Sequence, residues 1–266
     1  MLYVDSYYQY SAKIKHEENG DKAFSWVFDA SPSSVGKVAV FGVLDGVSNT
    51  DSAALSSALA EKEIRKTLAP LFLDIEALCD MEEADRMQYF FSLLRKAILA
   101  ADLLLWNYPG LYACTASIAI AFDEYVYVAN VGDSPVYLAD NFTRSLTEIY
   151  TCQNEAGYMV RQGVLTKEEA LTSKTKNYLL KAVGGKKSRL TEIDISTHKA
   201  LLPQDGILIL GSDGSLGVFN EDKLKDIIFS NYTDMKELCE DVYNQVLCEN
   251  GGDDSTLVVS HIRIGY

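Results

Sequence analysis

Apolar and polar positions regroup several times along the chain, and each regrouping predicts an element. Residues 2–12 are aromatic with a short apolar period and predict a first strand, and Lys13 to Gly20 is a polar loop. Ala23 to Phe28 alternates and resumes as strand, with a turn over Ser31 to Ser34. Lys37 to Leu44 is almost continuously apolar, the pattern of a buried strand. From Asp51 the period becomes helical. Ala54, Leu55, Ala58, Leu59 and Ile64 share one face, Asn49, Thr50 or Asp51 serves as N-cap, and Pro70 follows the helix. A second helix is predicted from about Glu82 to Trp106, where Phe90, Leu94, Ala97, Ile98, Ala101 and Leu105 form a wide stripe.

Strands then return. Tyr112 to Phe122 reads as one long strand that turns at Asp123-Glu124 into Tyr125 to Asn130, and Val136 to Ala139 follows. A polar segment over about 147–187 holds short helical pieces near Ala156 to Gly163 and Lys167 to Thr172. A strand is expected around Thr191 to Ile195, a turn at Pro203 to Gly206, and a four-residue buried strand at Ile207 to Leu210. Leu238, Cys239, Val242, Tyr243, Val246 and Leu247 mark a last helix, ended by Gly251-Gly252, and Ser255 to Ile264 closes as a strand. Strand pairs joined by tight turns, with helices grouped outside, predict an α+β layered fold; no linker divides residues 1–266, so one domain is expected.

Composition narrows the function classes. The 266 residues carry a formal net charge of -14 and no run of Lys or Arg, which argues against a nucleic-acid partner. Clustered carboxylates in such a chain suit divalent cations. No stretch of 18 apolar residues and no basic-then-apolar leader occurs, so neither a membrane span nor a secretory signal is expected. Five scattered cysteines without a CxxC pair fit a reduced, cytoplasmic compartment.

The candidate chemistry lies in aspartates at strand ends. Asp45 ends the apolar run and precedes Gly46; Asp133 follows Val131-Gly132; Asp213 follows Gly211-Ser212 and precedes Gly214; Asp253 follows Gly251-Gly252. Asp21, just before the Ala23 strand, is a fifth candidate. A lone Asp-Gly is most often a turn, but glycine beside each carboxylate lets the backbone turn sharply and a ligand approach. If the strand ends meet, the charges repel, by roughly 4 kcal/mol per pair at about 4 Å and an effective dielectric of about 20. Mg²⁺ or Mn²⁺ would offset that repulsion, and two such ions about 3.5–4 Å apart can activate a shared water for in-line attack on phosphorus.

The words around these aspartates resemble the metal-dependent serine/threonine protein phosphatases (the PPM, or 2C-type, family), particularly bacterial members. Val43 to Gly46, Cys114 to Ala116, the specific run Ala129 to Ser134, Val160 to Gly163, Leu165 to Ala170, Asn177 to Gly184, Ser212 to Gly214 and Asp253 to Thr256 occur in the family's order over nearly the whole chain. The resemblance implies a four-layer α-β-β-α sandwich with two central antiparallel sheets, the 147–187 segment being the bacterial flap. It implies two or three Mg²⁺ or Mn²⁺ ions. Asp45 would bridge two ions with the Gly46 carbonyl on one; Asp213 and Asp253 would hold the other; Asp133 would share a third with Asp213; Asp21 would act through water. The implied reaction is hydrolysis of phosphoserine and phosphothreonine by a metal-bridging hydroxide without a phosphoenzyme, with Asp45 and Asp213 acting catalytically through the metal-bound water. Implied partners are phosphorylated proteins, such as a serine/threonine kinase and its substrates.

Some positions depart from the family pattern. His16, beside Lys15, stands where an arginine that binds substrate phosphate is expected, and an imidazole is a poorer fork for phosphate. Gly20 replaces an acidic or amide residue, Val47 a histidine used as general acid, Pro135 an arginine, and Asp254 an asparagine; in isolation Asp254 reads as a solvated turn residue or an added charge near the ions. These departures give an alternative: a catalytically weak or inactive pseudo-phosphatase that binds phosphoproteins as a regulatory module.

Overall fold

Long apolar periods become regular elements close to their expected bounds. The computed structural model describes residues 1–14, 17–30, 35–73, 75–230, 234–249 and 253–265. Lys15, His16, the Ser31 to Ser34 turn and Gly251-Gly252 therefore lie outside the described residues. In chain order the elements are β1 (Leu2–Ala12), β2 (Asp21–Asp29), β3 (Lys37–Asp45), α1 (Ala53–Leu68), α2 (Ile75–Cys79), α3 (Glu83–Asn107), β4 (Ala113–Cys114), β5 (Ala116–Phe122), β6 (Tyr125–Val131), β7 (Val136–Asp140) and β8 (Ser145–Glu148). Then come α4 (Glu155–Arg161), α5 (Lys167–Leu171), β9 (Val183–Gly184), β10 (Ser196–Leu201), β11 (Asp205–Gly211), α6 (Asp213–Leu216), α7 (Glu221–Ile228), α8 (Met235–Cys248) and β12 (Ser255–Ile264).

Two five-stranded antiparallel sheets result, ordered β1-β12-β11-β7-β8 and β10-β6-β5-β3-β2. The alternation of β3 decides the layering. Val38, Val40 and Leu44 face one way, into a core shared with Ile64 and Leu68 of α1 and Phe90 and Leu94 of α3. Ala39, Phe41 and Val43 face the other, against Leu208, Leu210 and Val258 of the opposite sheet. The outer face of that sheet, through Ile209 and Val259, packs on Leu238, Val242 and Val246 of α8. Three cores between four layers make the α-β-β-α sandwich, and a strand buried on both faces explains the unbroken apolar run of residues 38–44.

Three expectations are corrected. The strand over 112–122 is interrupted at Thr115: β4 pairs with β9 and bridges Gly46, while β5 lies on β3. Thr115 N–H still donates to Asp45 O at 2.7 Å, but Asp45 N–H donates to the Thr115 hydroxyl at 3.1 Å, which interrupts the ladder, and that hydroxyl lies 2.6 Å from that of Ser134. The strand expected at 191–195 is a 3₁₀ turn, since the Asp194 carboxylate accepts from both the N–H (2.9 Å) and the hydroxyl (2.7 Å) of Thr191; the strand begins at Ser196. The N-cap of α1 is Ser52, whose hydroxyl accepts from Leu55 N–H at 3.1 Å, while Asp51 accepts from Leu111 N–H instead. Strand β8 and helices α2 and α7 are too short or too weakly periodic to stand out in the sequence. Among the described residues no helix is long and apolar enough to cross a membrane.

Candidate metal centre

Register brings the first two carboxylates together. Strands β2 and β3 pair antiparallel with Asp21 directly opposite Asp45. The Asp45 N–H donates to Thr115 Oγ1 at 3.1 Å, and Gly46 N–H donates to Gly20 O at 3.1 Å. A Cβ on Gly46 would stand 2.2 Å from Ala53 O and 2.7 Å from Gly20 O, both backbone atoms. Only glycine lets the chain pass there. Gly46→Ala is expected to cost about 1–3 kcal/mol by overpacking, read as a lower urea midpoint at unchanged slope. An unchanged midpoint would show that this crossing has slack.

The other side is built from the ends of β11 and β12. Ser212 N–H donates to Thr256 O at 2.9 Å, and Thr256 N–H donates to Ser212 Oγ at 3.0 Å, locking the two strands where Asp213 opens α6. A Cβ on Gly214 would meet Asp254 O at 2.1 Å, so this approach is as close as that at Gly46. Asp133, Asp213 and Asp253 line a common cavity of about 480 Å³.

The carboxylates act on one another. Burial raises the Asp45 pKa well above the usual range, and the charges of Asp21, Asp213 and Asp133 add to the effect, although Asp45 keeps some accessible surface. Burial pushes Asp21 up to about 7, with the Asp213 charge adding to it and the Ser212 and Thr256 hydroxyls opposing it. Asp133 also rises to about 7, through burial and then the charge of Asp213. Asp21 Oδ2 is buried with no hydrogen-bond partner. An orphaned acceptor among carboxylates that repel one another fits a hard divalent cation, and every donor is oxygen. Among the described residues no group of three or more His, Cys, Asp or Glu side chains already stands in metal-holding geometry, so the carboxylates ring the cleft without closing on one point.

Two further residues shape the centre. Asp254 is 2% exposed, so its reading as a solvated turn residue is corrected. Its carboxylate accepts from Ile14 N–H at 3.0 Å and from Gly20 N–H at 2.8 Å, fixing two residues that flank Lys15 and His16 in the sequence. Asn154 was missed. Its Oδ1 accepts from Gly157 N–H at 2.8 Å as the N-cap of α4, and its Nδ2 donates to Asp133 Oδ2 at 2.9 Å. The cap was readable as Asn before a short helix; the bond to a residue 21 positions away was not. The structure thus brings Asp21, Asp213 and Asp133 into electrostatic contact with Asp45, with Gly46 next to it in the chain and Asp253 on the cavity wall. Val47 contributes its N–H to Ala113 O at 2.9 Å, and Pro135 lines the cavity next to Asp133.

Comparison with known proteins follows this geometry. A family model described as protein phosphatase 2C matches residues 15–156. The serine/threonine phosphatase stp of Listeria welshimeri is 32% identical over 148 residues, 54% of this chain and 54% of its own. That of Listeria monocytogenes serotype 4b is 31% identical over 146 residues, again 54% of each. The chain spans about half the length of the curated relatives it matches. Among solved structures, a bacterial serine phosphatase superposes with a TM-score of 0.78 at 19% identity over 99% of this chain and 100% of that one. Stp1 from Staphylococcus aureus gives 0.74 at 20% identity, covering 97% and 94%. The catalytic domain of the phosphatase PstP, in complex with 2 manganese ions, gives 0.71 at 18% identity, covering 99% and 100%.

Proposed function

This chain belongs to the protein phosphatase 2C family, and on that premise we propose that it hydrolyses phosphoserine and phosphothreonine in proteins with the help of divalent cations. The observation that carries the reading is that Asp21, Asp213 and Asp133 lie close enough to Asp45 for their charges to raise its pKa, while Asp21 Oδ2 is buried without a partner. Asp45 with the Gly46 carbonyl, together with Asp213 and Asp253, would hold the ions, Asp133 would join Asp213 in holding a further one, and Asp21 would support them. The ions, when bound, would neutralise phosphoryl oxygens and lower the pKa of water. The manganese in the PstP structure supports Mn²⁺ as a first choice, with Mg²⁺ as the alternative.

The chain's own residues do the positioning. Gly46 and Gly214 let two backbone crossings close behind the aspartates, Ser212 and Thr256 tie β11 to β12, Asn154 orients the Asp133 carboxylate, and Asp254 fixes two residues that flank, in the sequence, Lys15 and His16, the candidate phosphate-binding residues. Residues 1–266 would act as one catalytic domain with 147–187 as its flap, and a phosphorylated serine/threonine kinase and its substrates are the partners proposed.

Hydrolysis of p-nitrophenyl phosphate and a phosphothreonine peptide with Mn²⁺, with and without chelator, tests the reading. Turnover should fall to background with chelator and at least about 100-fold in Asp213→Asn, more than the loss of an outer partner of a metal ligand costs. Absence of metal-dependent turnover above that variant would sink the enzyme reading and favour the pseudo-phosphatase.

A further inference from the structure

The cavity lined by Asp133, Asp213 and Asp253 is lined as well by side chains with no task in phosphoryl chemistry. Its floor is Tyr137 of β7 and Tyr150, whose rings meet edge to face 6.1 Å apart. Its roof comes from the flap, with Val160 of α4 and Leu171 of α5, and its back wall from Leu216 and Phe219. At about 480 Å³ it lies within the range of roughly 300–1,000 Å³ that specific ligand pockets occupy.

Polarity limits what can enter. Two basic residues of its lining, Lys167 and Arg161, are already paired with other residues that line it. Lys167 Nζ lies 3.0 Å from Glu148 and 3.6 Å from Glu221, and the Arg161 guanidinium donates to Cys152 O. Burial raises the pKa of both Tyr137 and Tyr150, so the floor stays neutral at physiological pH. An acidic group moved inside would lose its hydration against an aromatic floor, whereas an aliphatic or aromatic group would gain by burial.

We propose that this cavity is a subsite for an apolar side chain of the phosphoprotein substrate, one or two residues from the phosphorylated residue. The inference rests on the phosphatase reading, because the occupant is fixed by continuity: Asp133, Asp213 and Asp253, three of the carboxylates proposed to hold ions, line the same cavity. A phosphoryl group placed there sets the flanking peptide at its mouth, and an extended chain advances about 3.3–3.6 Å per residue. Val160, Leu171 and Phe219 are then specificity-determining residues, and the flap selects substrates through the roof it supplies.

The test uses phosphothreonine peptides in an alanine background, with Phe, Leu or Asp placed singly at the two positions on either side of the phosphoresidue. Specificity is read as kcat/KM with Mn²⁺, and affinity as the Kd of matching non-hydrolysable phosphonate peptides by fluorescence polarisation. At one position at least, Phe or Leu should exceed Ala about tenfold in both readouts, the lower end of what an apolar pocket discriminates, and Asp should fall below Ala. Val160→Glu should bring the Phe-to-Ala ratio to about one, as should Leu171→Glu, which changes a helix without buried residues and so keeps the test valid if the first variant misfolds. Ratios within twofold at all positions would overturn the subsite. Binding preference without turnover of any phosphopeptide would sustain the subsite and sink the phosphatase reading; no binding of any analogue would overturn both.

Discussion

Asp45→Asn is expected to abolish metal-dependent turnover while making the chelated protein more stable. The two signs have one cause. Burial and the charges of Asp21, Asp213 and Asp133 hold the Asp45 pKa above its ordinary value. For an acid, a raised folded-state pKa means that its ionised form at neutral pH opposes folding. Asparagine keeps the shape and removes the charge. A contact pair at an effective dielectric of about 20 repels by roughly 4 kcal/mol, an upper bound for a partly exposed group, so a gain of about 1–2 kcal/mol is expected. In a chain of this size that is a rise of a few degrees in Tm. Activity should fall further than the about 10–100-fold typical of losing a hydrogen-bond partner of a metal ligand, because a proposed ligand itself is lost. Calorimetry in chelator and p-nitrophenyl phosphate turnover with Mn²⁺ read the two effects. A variant that melts lower in chelator and still turns over would remove the carboxylate centre from the argument.

Asp254→Ala should destabilise the protein by about 2–4 kcal/mol, far beyond the ±0.5 kcal/mol usual for surface changes. Both its oxygens are engaged, with Ile14 N–H at 3.0 Å and Gly20 N–H at 2.8 Å. Alanine leaves two backbone donors without an acceptor, one of them buried. Asp254→Asn should cost less, since one oxygen still accepts while the amide NH₂ turns donor against donor. Urea unfolding gives the magnitude, and faster amide exchange at Ile14 and Gly20 gives the location. Since the clamped residues flank Lys15 and His16 in sequence, KM for a phosphopeptide should rise more than kcat falls. A variant within about 0.5 kcal/mol of the parent, with unchanged exchange at Ile14, would show that the clamp carries no weight.

Legibility followed the range of the cause. Strand β12 matches its expected bounds, and β3 and α3 come within a residue or so, because their apolar periods are long and local. The break at Thr115 was invisible because Asp45, 70 positions earlier, imposes it. The Thr191 turn was legible in principle as a threonine three residues before an aspartate, but the apolar isoleucines beside it read as strand. Asp45, Asp133, Asp213 and Asp253 stood out since a carboxylate beside glycine at a strand end is a local signature. Of the two readings of Asp254, the solvated turn residue failed because its partners lie 240 and 234 positions away. Charge and position were visible in the sequence; the direction in which the carboxylate turns was set by the tertiary fold.

Strand β1 pairs along its length with β12, from Leu2 opposite Ile264 to Ala12 opposite Ser255. On a ribosome β1 must therefore wait for β12. At about 5–20 residues per second that delay is on the order of 10 s or more. Through it β2, β3, β5 and β6 can already pair, and Asp21 can already face Asp45, while Asp213 and Asp253 are still to be synthesised. During translation the nascent chain holds half of the proposed cation site and an unpaired strand at β1, so ion capture would be a late event and early chaperone contact should fall on Leu2–Ala12.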